Sequence, residues 1–211
     1  MDTIINRESD MFHKANSFYR LMSERRTVRH FTSKDIPLHI IQECVKTAGT
    51  APSGANKQPW FFAIIKSQEM KTKIRIAAEK EEYDFYHKRN NEKWLDDLKP
   101  FRTNWKKPHL EEASTLIVIF SKNFEDTTNQ NRCYYSKESV GIATGMLITA
   151  LHQLGISTLT HTPNPMSFLN ELLNRPKNEK PYLILATGYK NDKFDLPDIK
   201  RKNIEEISAV F

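Results

Sequence analysis

Three arginines within five residues, Arg25, Arg26 and Arg29, form the first cluster of side chains that could do chemistry. Guanidinium groups suit a phosphate or another oxyanion because each makes forked, charge-assisted hydrogen bonds. A solvated basic turn would use the same residues, so the cluster alone leaves both interpretations open. Nucleic-acid binding would need a larger basic surface with a known module, and the sequence has no zinc-finger spacing, helix-turn-helix or aromatic RNA-binding signature.

Two further segments could contact a small ligand. Residues 50–56 are mostly small, which lets backbone N–H groups approach a ligand closely, and Pro52 stiffens the turn. They match neither a Walker loop nor a Gly-x-Gly dinucleotide fingerprint, and a plain loop would look the same. Residues 158–163 alternate threonine with other residues, which is typical of a strand. The ends of strands in α/β proteins are places where ligand-contacting groups collect.

The histidines and cysteines do not indicate a metal site. The seven histidines lack partners at the spacing of zinc ligands, and the chain has no Cys-x-x-Cys pair. Cys44 falls in an amphipathic helical pattern and Cys133 precedes two tyrosines, so we interpret both as ordinary thiols. Two cysteines cannot frame a disulfide scaffold, which favours a reducing compartment.

Residues 79–112 combine two opposite properties. Half of these 34 positions are charged, yet the segment also holds six aromatic residues, including two of the three tryptophans in the chain. A merely solvated segment would not need them. Glu82 and Tyr86 are four residues apart and therefore share a helix face. We expect this segment to become ordered when a ligand covers its aromatic face, which makes it a candidate lid.

The elements that must position these groups form one α+β domain over residues 1–211, with helices on both sides of a small sheet. The chain is 38% hydrophobic, enough for one core, and its net charge of +6 raises the question of a polyanionic or phosphorylated partner. The apolar periodicity predicts helices over 11–22, 35–49, from about 68, over 138–154 and over 168–174, and strands over 60–65, 115–120, 156–160 and 182–187. Asp35 and Pro37 mark the start of the second helix.

The sequence predicts a soluble, cytoplasmic protein without a membrane partner. No apolar run reaches the ~18–20 residues that a membrane span requires. The polar N-terminal residues differ from a signal peptide, although removal of an N-terminal anchor remains an alternative.

Taken in order, these motifs resemble the N-terminal part of proteins of the nitroreductase superfamily. Arg25–Arg29 is followed by residues 48–54 and by Gln58-Pro59-Trp60, as in the flavin-binding part of that superfamily. Within it, the chain resembles the iodotyrosine deiodinase branch. The motifs that carry this narrower resemblance are Glu82, Tyr86, Trp94, residues 97–99 and 102–105, Lys107, Tyr134-Tyr135, residues 158–160 and residues 197–202.

The resemblance implies an FMN-dependent, intertwined homodimer with a mainly antiparallel sheet flanked by helices. Its activity would be reductive removal of halogen from 3-iodo-, bromo- or chlorotyrosine through one-electron flavin steps. Electrons would come from NAD(P)H or from a separate reductase. The basic charge then fits a flavin phosphate, with no nucleic acid required. A broad FMN nitroreductase or flavin reductase stays the alternative.

The resemblance also implies roles for individual residues. Thr160, the catalytic residue, would place its hydroxyl near flavin N5. Residues from four segments of the chain would bind FMN: Arg25, Arg26, Thr27, Val28, Arg29, Pro52, Ser53, Gly54, Thr158, Leu159 and Arg201. Ser53 and Gly54 would reach the flavin from the partner subunit. Glu82 would bind the substrate amino group, Tyr86 and Lys107 its carboxylate, and the backbone N–H of Ala55 its phenolate. The tail from about residue 190 would wrap over the domain.

Overall fold

Four antiparallel strands form the centre of the molecule. The computed structural model describes residues 2–89, 92–126, 128 and 131–211, with residues 2–6 described as backbone only. The strands are β1 (Trp60–Ile65), β2 (Thr115–Lys122), β3 (Ser157–His161) and β4 (Glu179–Gly188). Their order in the sheet is β1-β2-β4-β3, so β1 and β3 are the two opposite edges. This arrangement confirms the predicted antiparallel α+β architecture.

Seven helices surround the sheet. They are α1 (Asp2–Ser23), α2 (Leu38–Gly49), α3 (Gln68–His87), α4 (Glu92–Leu98), α5 (His109–Glu112), α6 (Ser136–Gln153) and α7 (Phe168–Leu172) among the described residues. Single 3-10 turns occur at Gly54–Asn56, Lys99–Phe101 and Ile204–Glu206. None of the helices in the described part of the chain is long and apolar enough to cross a membrane.

The strand β2 builds the core because it is buried on both faces. Successive side chains of a strand point to opposite sides of the sheet. Leu116 and Val118 therefore belong to one apolar cluster, which also contains residues of α3, α5 and α7. Ile117 and Ile119 belong to a second cluster with residues of α2 and α6. Helices thus cover both faces of the sheet, as the sequence predicts.

The start of α2 corrects one sequence prediction. Asp35 does not begin the helix, because α2 starts at Leu38 and its N-cap is Pro37. Instead, the carboxylate of Asp35 pairs with the ammonium of Lys66 and accepts a hydrogen bond of 2.9 Å from the hydroxyl of Ser114. Proline disfavours a helical conformation in the residue before it, so a helix that begins after Pro37 cannot extend back to Asp35.

The helix α3 is longer than its apolar pattern indicates. It begins at Gln68, after the N-cap Ser67, whose hydroxyl accepts a hydrogen bond from the backbone N–H of Met70, and it continues to His87. Its last two turns therefore lie within residues 79–112, the candidate lid, and carry Glu82 and Tyr86 on one face. Charged residues dominate this half of the helix and hide its periodicity.

Candidate active site

A cavity of about 340 Å³ lies where α3, residues 98–109 and the end of β3 meet. Its wall contains six of the predicted site residues, namely Arg29, Glu82, Tyr86, Lys107, Leu159 and Thr160. These residues come from four separate stretches of the chain, and the fold brings them to one place. The side chain of Thr160 is exposed, and Leu159 belongs to the core behind it.

A buried ion pair between Glu82 and Lys107 lies in this wall. The ammonium of Lys107 lies 3.0 Å from a carboxylate oxygen of Glu82, and the two side chains are only 6% and 13% exposed. Burial lowers the pKa of Lys107, and the neighbouring carboxylate of Glu82 acts in the opposite direction. The same ammonium lies 5.3 Å from the ring centre of Tyr86. Two opposite charges that are shielded from water in this way attract each other more strongly than exposed charges do. They also attract a charged ligand more strongly.

Hydrogen bonds and ion pairs fix the segment that carries Lys107 against α3. The backbone N–H of Lys107 donates to a carboxylate oxygen of Glu79 at 2.7 Å. Arg75 pairs with Glu79 and also with Glu111, at 2.9 Å, and so connects α3 to α5. The ammonium of Lys107 donates in addition to the backbone carbonyl of Asn104. The position of Lys107 is therefore determined by its backbone as well as by its side chain.

The arginine cluster lies beside the strand that carries Thr160. Thr27 forms a parallel bridge with Thr158, and the backbone N–H of Val28 donates to the carbonyl of Thr158 at 3.1 Å. Two residues further along β3 is Thr160, at the cavity. Arg29 connects the arginine cluster to the cavity, because it belongs to the cluster and also lines the cavity. Its guanidinium lies 5.5 Å from the ring centre of Phe101.

The C-terminal tail adds a third guanidinium to Arg25 and Arg26. Arg201 donates to the backbone carbonyls of Ser23, at 2.8 Å, and Arg25, at 2.7 Å. Burial lowers the pKa of Arg25, and the nearby charges of Arg201 and Arg26 lower it further. Positive charges that lie close together repel one another, which lowers their pKa values. A multivalent anion bound between them would offset this repulsion. The donor set fits a phosphate group.

Residues 52–55 lie elsewhere. They precede β1, which is the edge strand opposite β3. Neighbouring strands are about 4.8 Å apart, and three such steps separate the two edges of the sheet. Pro52, Ser53, Gly54 and Ala55 are not among the described residues that line the cavity of Thr160. Gly54 packs on Tyr134, since an added Cβ would lie 2.8 Å from the backbone oxygen of Tyr134. Pro52 and Ala55 are exposed.

Two buried histidines lie in the cavity wall. His161 falls within residues 158–163, the strand end that the sequence indicates as a place for ligand contacts, whereas no motif indicates His109. The ring centres of His109 and His161 are 5.5 Å apart and the rings meet edge to face. Burial lowers the pKa of His109 to about 2 and that of His161 to about 3, and Lys107 contributes to both shifts. Both imidazoles are therefore neutral. No local spacing relates the two residues, because they meet only through the packing of α5 on the end of β3.

Comparisons with known proteins identify the family of the chain. The family model described as "Nitroreductase family" matches residues 22–189. The chain belongs to the nitroreductase family. Within this family, it is 48% identical over 205 residues to iodotyrosine deiodinase of Haliscomenobacter hydrossis, covering 96% of this chain and 92% of that protein. It is 41% identical over 203 residues to iodotyrosine deiodinase 1 of Mus musculus, covering 95% of this chain and 71% of that protein.

Solved structures of the nitroreductase family share the fold. Oxidized iodotyrosine deiodinase bound to FMN and 3-iodo-L-tyrosine superposes with a TM-score of 0.77 at 34% identity, covering 89% of this chain and 96% of that one. A BluB-like flavoprotein from Clostridium difficile superposes with a TM-score of 0.71 at 22% identity, which shows the common fold alone. The predicted membership of the iodotyrosine deiodinase branch is confirmed.

Proposed function

We propose that this protein is an FMN-dependent oxidoreductase that removes halogen from 3-halotyrosines, converting 3-iodotyrosine into tyrosine and iodide. The observation that carries the proposal is the buried Glu82–Lys107 pair beside Tyr86, in the same cavity as Thr160. A nitroaromatic or a free flavin presents no ammonium and carboxylate to such a pair. The similarity to iodotyrosine deiodinases over almost the whole chain supports the same activity.

The arginine cluster supports FMN as the cofactor. Arg25, Arg26 and Arg201 would hold its phosphate, and Arg29 would stabilise the negative charge at the pyrimidine edge of the reduced ring. The other cofactor contacts would come from Thr27, Val28, Thr158 and Leu159. Bound FMN, once reduced, would supply two electrons. With one proton, these would convert a carbon–iodine bond into a carbon–hydrogen bond and iodide. The hydroxyl of Thr160 would donate to N5 of the flavin ring, which favours transfer of one electron at a time.

The ion pair in the cavity would exchange its partners when the substrate binds. The ammonium group of the substrate would pair with Glu82, while its carboxylate would pair with Lys107 and the hydroxyl of Tyr86. Because each buried charge gains an opposite charge, neither is left unpaired in the low-dielectric wall. A ligand with only one of the two charges would leave the other protein charge uncompensated. The pair thus favours an amino acid over a simple halophenol.

A homodimer would complete this site. Residues 52–55, of which Pro52 and Ala55 are exposed, lie far from Thr160 in one chain. This separation fits a role for Pro52, Ser53 and Gly54 on the flavin of the partner subunit, and for the backbone N–H of Ala55 at the substrate phenolate. Large apolar side chains are exposed on α1 and in the tail, among them Phe12, Tyr19, Ile207 and Phe211. Such exposure is typical of a protein–protein interface.

Two further parts of the proposal concern the lid and the electron donor. Residues 79–112 would act as the lid, because α3, α4 and the turn after α4 together form one side of the cavity and also carry the substrate-binding side chains. Electrons would reach the flavin from NAD(P)H or through a separate reductase.

The experiment that tests this function is anaerobic reoxidation of the dithionite-reduced, FMN-loaded protein by different acceptors. We expect 3-iodotyrosine to reoxidise the flavin and to be converted into tyrosine. Reoxidation by nitroaromatics with no reaction of 3-iodotyrosine would instead identify a general nitroreductase. A colourless protein that binds no flavin would exclude both activities.

A further inference from the structure

His161 has a buried polar atom in the cavity wall that the proposed chemistry does not yet use. It ends β3 directly after Thr160, and it is 8% exposed. Its Nε2 atom is buried and has no hydrogen-bond partner among the described residues. A buried polar atom without a partner costs free energy, so its presence at a ligand cavity requires an explanation.

The carboxylate of Glu82 lies close to this atom. Nε2 of His161 lies 3.8 Å from Oε1 of Glu82, which is longer than a hydrogen bond by about 0.8 Å. The other carboxylate oxygen, Oε2, lies 3.0 Å from the ammonium of Lys107. Glu82 is thus flanked on its two oxygens by a cation and by an imidazole, and in this state the cation holds it.

The imidazole faces Glu82 as a neutral hydrogen-bond donor. Desolvation of the buried ring and the nearby charge of Lys107 lower its pKa far below neutrality. A neutral imidazole carries one N–H, and the carboxylate beside Nε2 favours the tautomer with the proton on that atom. His109, from α5, packs edge to face on the same ring, at 80° between the ring planes, and fixes its orientation.

We propose that His161 is a positioning residue for Glu82 and so determines the preference for substrates with an amino-acid group. This inference rests on the proposed function, in which substrate draws Lys107 away from Glu82. As Lys107 turns to the substrate carboxylate, Oε2 of Glu82 receives the substrate ammonium. Oε1 then moves onto the N–H of His161, which aims the carboxylate at the ammonium. Halophenols without the zwitterion gain nothing from this contact.

The test compares His161→Phe with His161→Gln in the FMN-loaded protein. Phenylalanine keeps the ring volume without a donor, whereas the side-chain amide of glutamine replaces the Nε2 donor. Binding of 3-iodotyrosine and of 2-iodophenol is measured by quenching of flavin fluorescence. We expect His161→Phe to raise the Kd of 3-iodotyrosine at least tenfold, to leave that of 2-iodophenol within twofold, and His161→Gln to restore most of the loss.

Equal effects on both ligands, or no effect on either, would overturn the inference. If His161→Phe does not retain FMN, His161→Asn replaces it, because the shorter amide mimics Nδ1 rather than Nε2. Binding of 3-iodotyrosine at least tenfold weaker in His161→Asn than in His161→Gln supports the assignment, and equal binding contradicts it. A wild-type protein that does not bind 3-iodotyrosine would overturn the proposed function itself, whereas normal wild-type binding with unselective variants overturns this inference alone.

Discussion

Thr160 and His161 are neighbours on β3, yet they serve different ends of the proposed substrate. Adjacent residues of a strand face opposite sides of the sheet, so the hydroxyl of Thr160 is exposed while the imidazole of His161 is buried beside Glu82. One short strand end therefore supports both the flavin chemistry and the recognition of the amino-acid group. A single substitution should separate the two tasks.

Removal of the Thr160 hydroxyl should impair turnover without preventing binding. In Thr160→Ala, the donor to flavin N5 is lost while the arginine cluster and the Glu82–Lys107 pair are untouched. We expect FMN content and the Kd of 3-iodotyrosine to stay within about twofold of wild type, with kcat lowered at least tenfold. Thr160→Ser, which keeps a hydroxyl, should recover most of kcat. Equal kcat in wild type and Thr160→Ala would exclude the proposed role.

The buried histidines should make the protein sensitive to mild acid. The unfolded chain binds protons at these residues below pH ~6.5, while the folded pKa of about 3 for His161 and about 2 for His109 keeps both rings neutral. The unfolded state thus binds more protons, and stability falls as the pH falls. From pH 7 to pH 5, each histidine should cost about 2 kcal/mol of unfolding free energy.

Chemical denaturation at the two pH values measures this effect. His161→Gln has no imidazole at this position, so its loss of stability between pH 7 and pH 5 should be smaller than that of wild type by about 2 kcal/mol. His39→Gln, in which an exposed histidine is replaced, serves as the matched control and should lose as much as wild type. The same pH dependence in all three proteins would show that His161 is protonated in the folded state.

At the scale of elements, the strands could be predicted well from sequence, and the last turns of α3 could not. β1 is an aromatic and aliphatic run between Pro59 and Lys66, and its predicted bounds agree with the structure. The end of α3 is stabilised by ion pairs such as Lys88–Asp84 and by the packing of Tyr83 on Trp105. The periodicity of apolar residues in the sequence does not reveal such contacts. The pairing of His161 with Glu82 likewise depends on tertiary packing.

The candidate lid should respond to the whole substrate. Because Glu82 and Lys107 lie at its two ends, a ligand that binds both charges should hold α3 and residues 98–109 together. We expect 3-iodotyrosine to slow tryptic cleavage after Lys88 and Lys93 several-fold in the FMN-loaded protein, and 2-iodophenol to protect poorly. Cleavage after Lys14, on α1, is the internal control. Equal protection by both ligands would count against recognition of the zwitterion.

At the scale of the whole molecule, the C-terminal tail meets the segment after α1 at the arginine cluster. Arg201 donates to the carbonyls of Ser23, the last residue of α1, and Arg25, and Arg26 contacts the carbonyl of Pro197, so the tail contributes to the proposed phosphate site. From the sequence, the proximity of Arg201 to Arg25 and Arg26 could be predicted only through the resemblance to a known family. The separation of residues 52–55 from Thr160 follows from the order of strands in the sheet. The pattern of apolar residues does not specify this order.

Loss of the tail contact should weaken cofactor binding specifically. Arg201→Gln removes one of three guanidiniums from the proposed phosphate site, and we expect the Kd of FMN to rise about tenfold or more. Riboflavin, which has no phosphate, should bind equally to wild type and variant. Lys202→Gln, an exposed change of the same charge in the tail, is the control. Equal weakening of FMN and riboflavin would indicate that Arg201 supports the fold and not the phosphate.

The most direct test of the account is the ratio of kcat/KM for 3-iodotyrosine to that for 2-iodophenol, measured as iodide release from the dithionite-reduced protein. The Glu82–Lys107 pair should make this ratio large in wild type. In Lys107→Gln, the substrate carboxylate loses its cation, and the ratio should fall at least a hundredfold while 2-iodophenol still reacts. An unchanged ratio in Lys107→Gln, or no release of iodide from 3-iodotyrosine by wild type, would contradict the account.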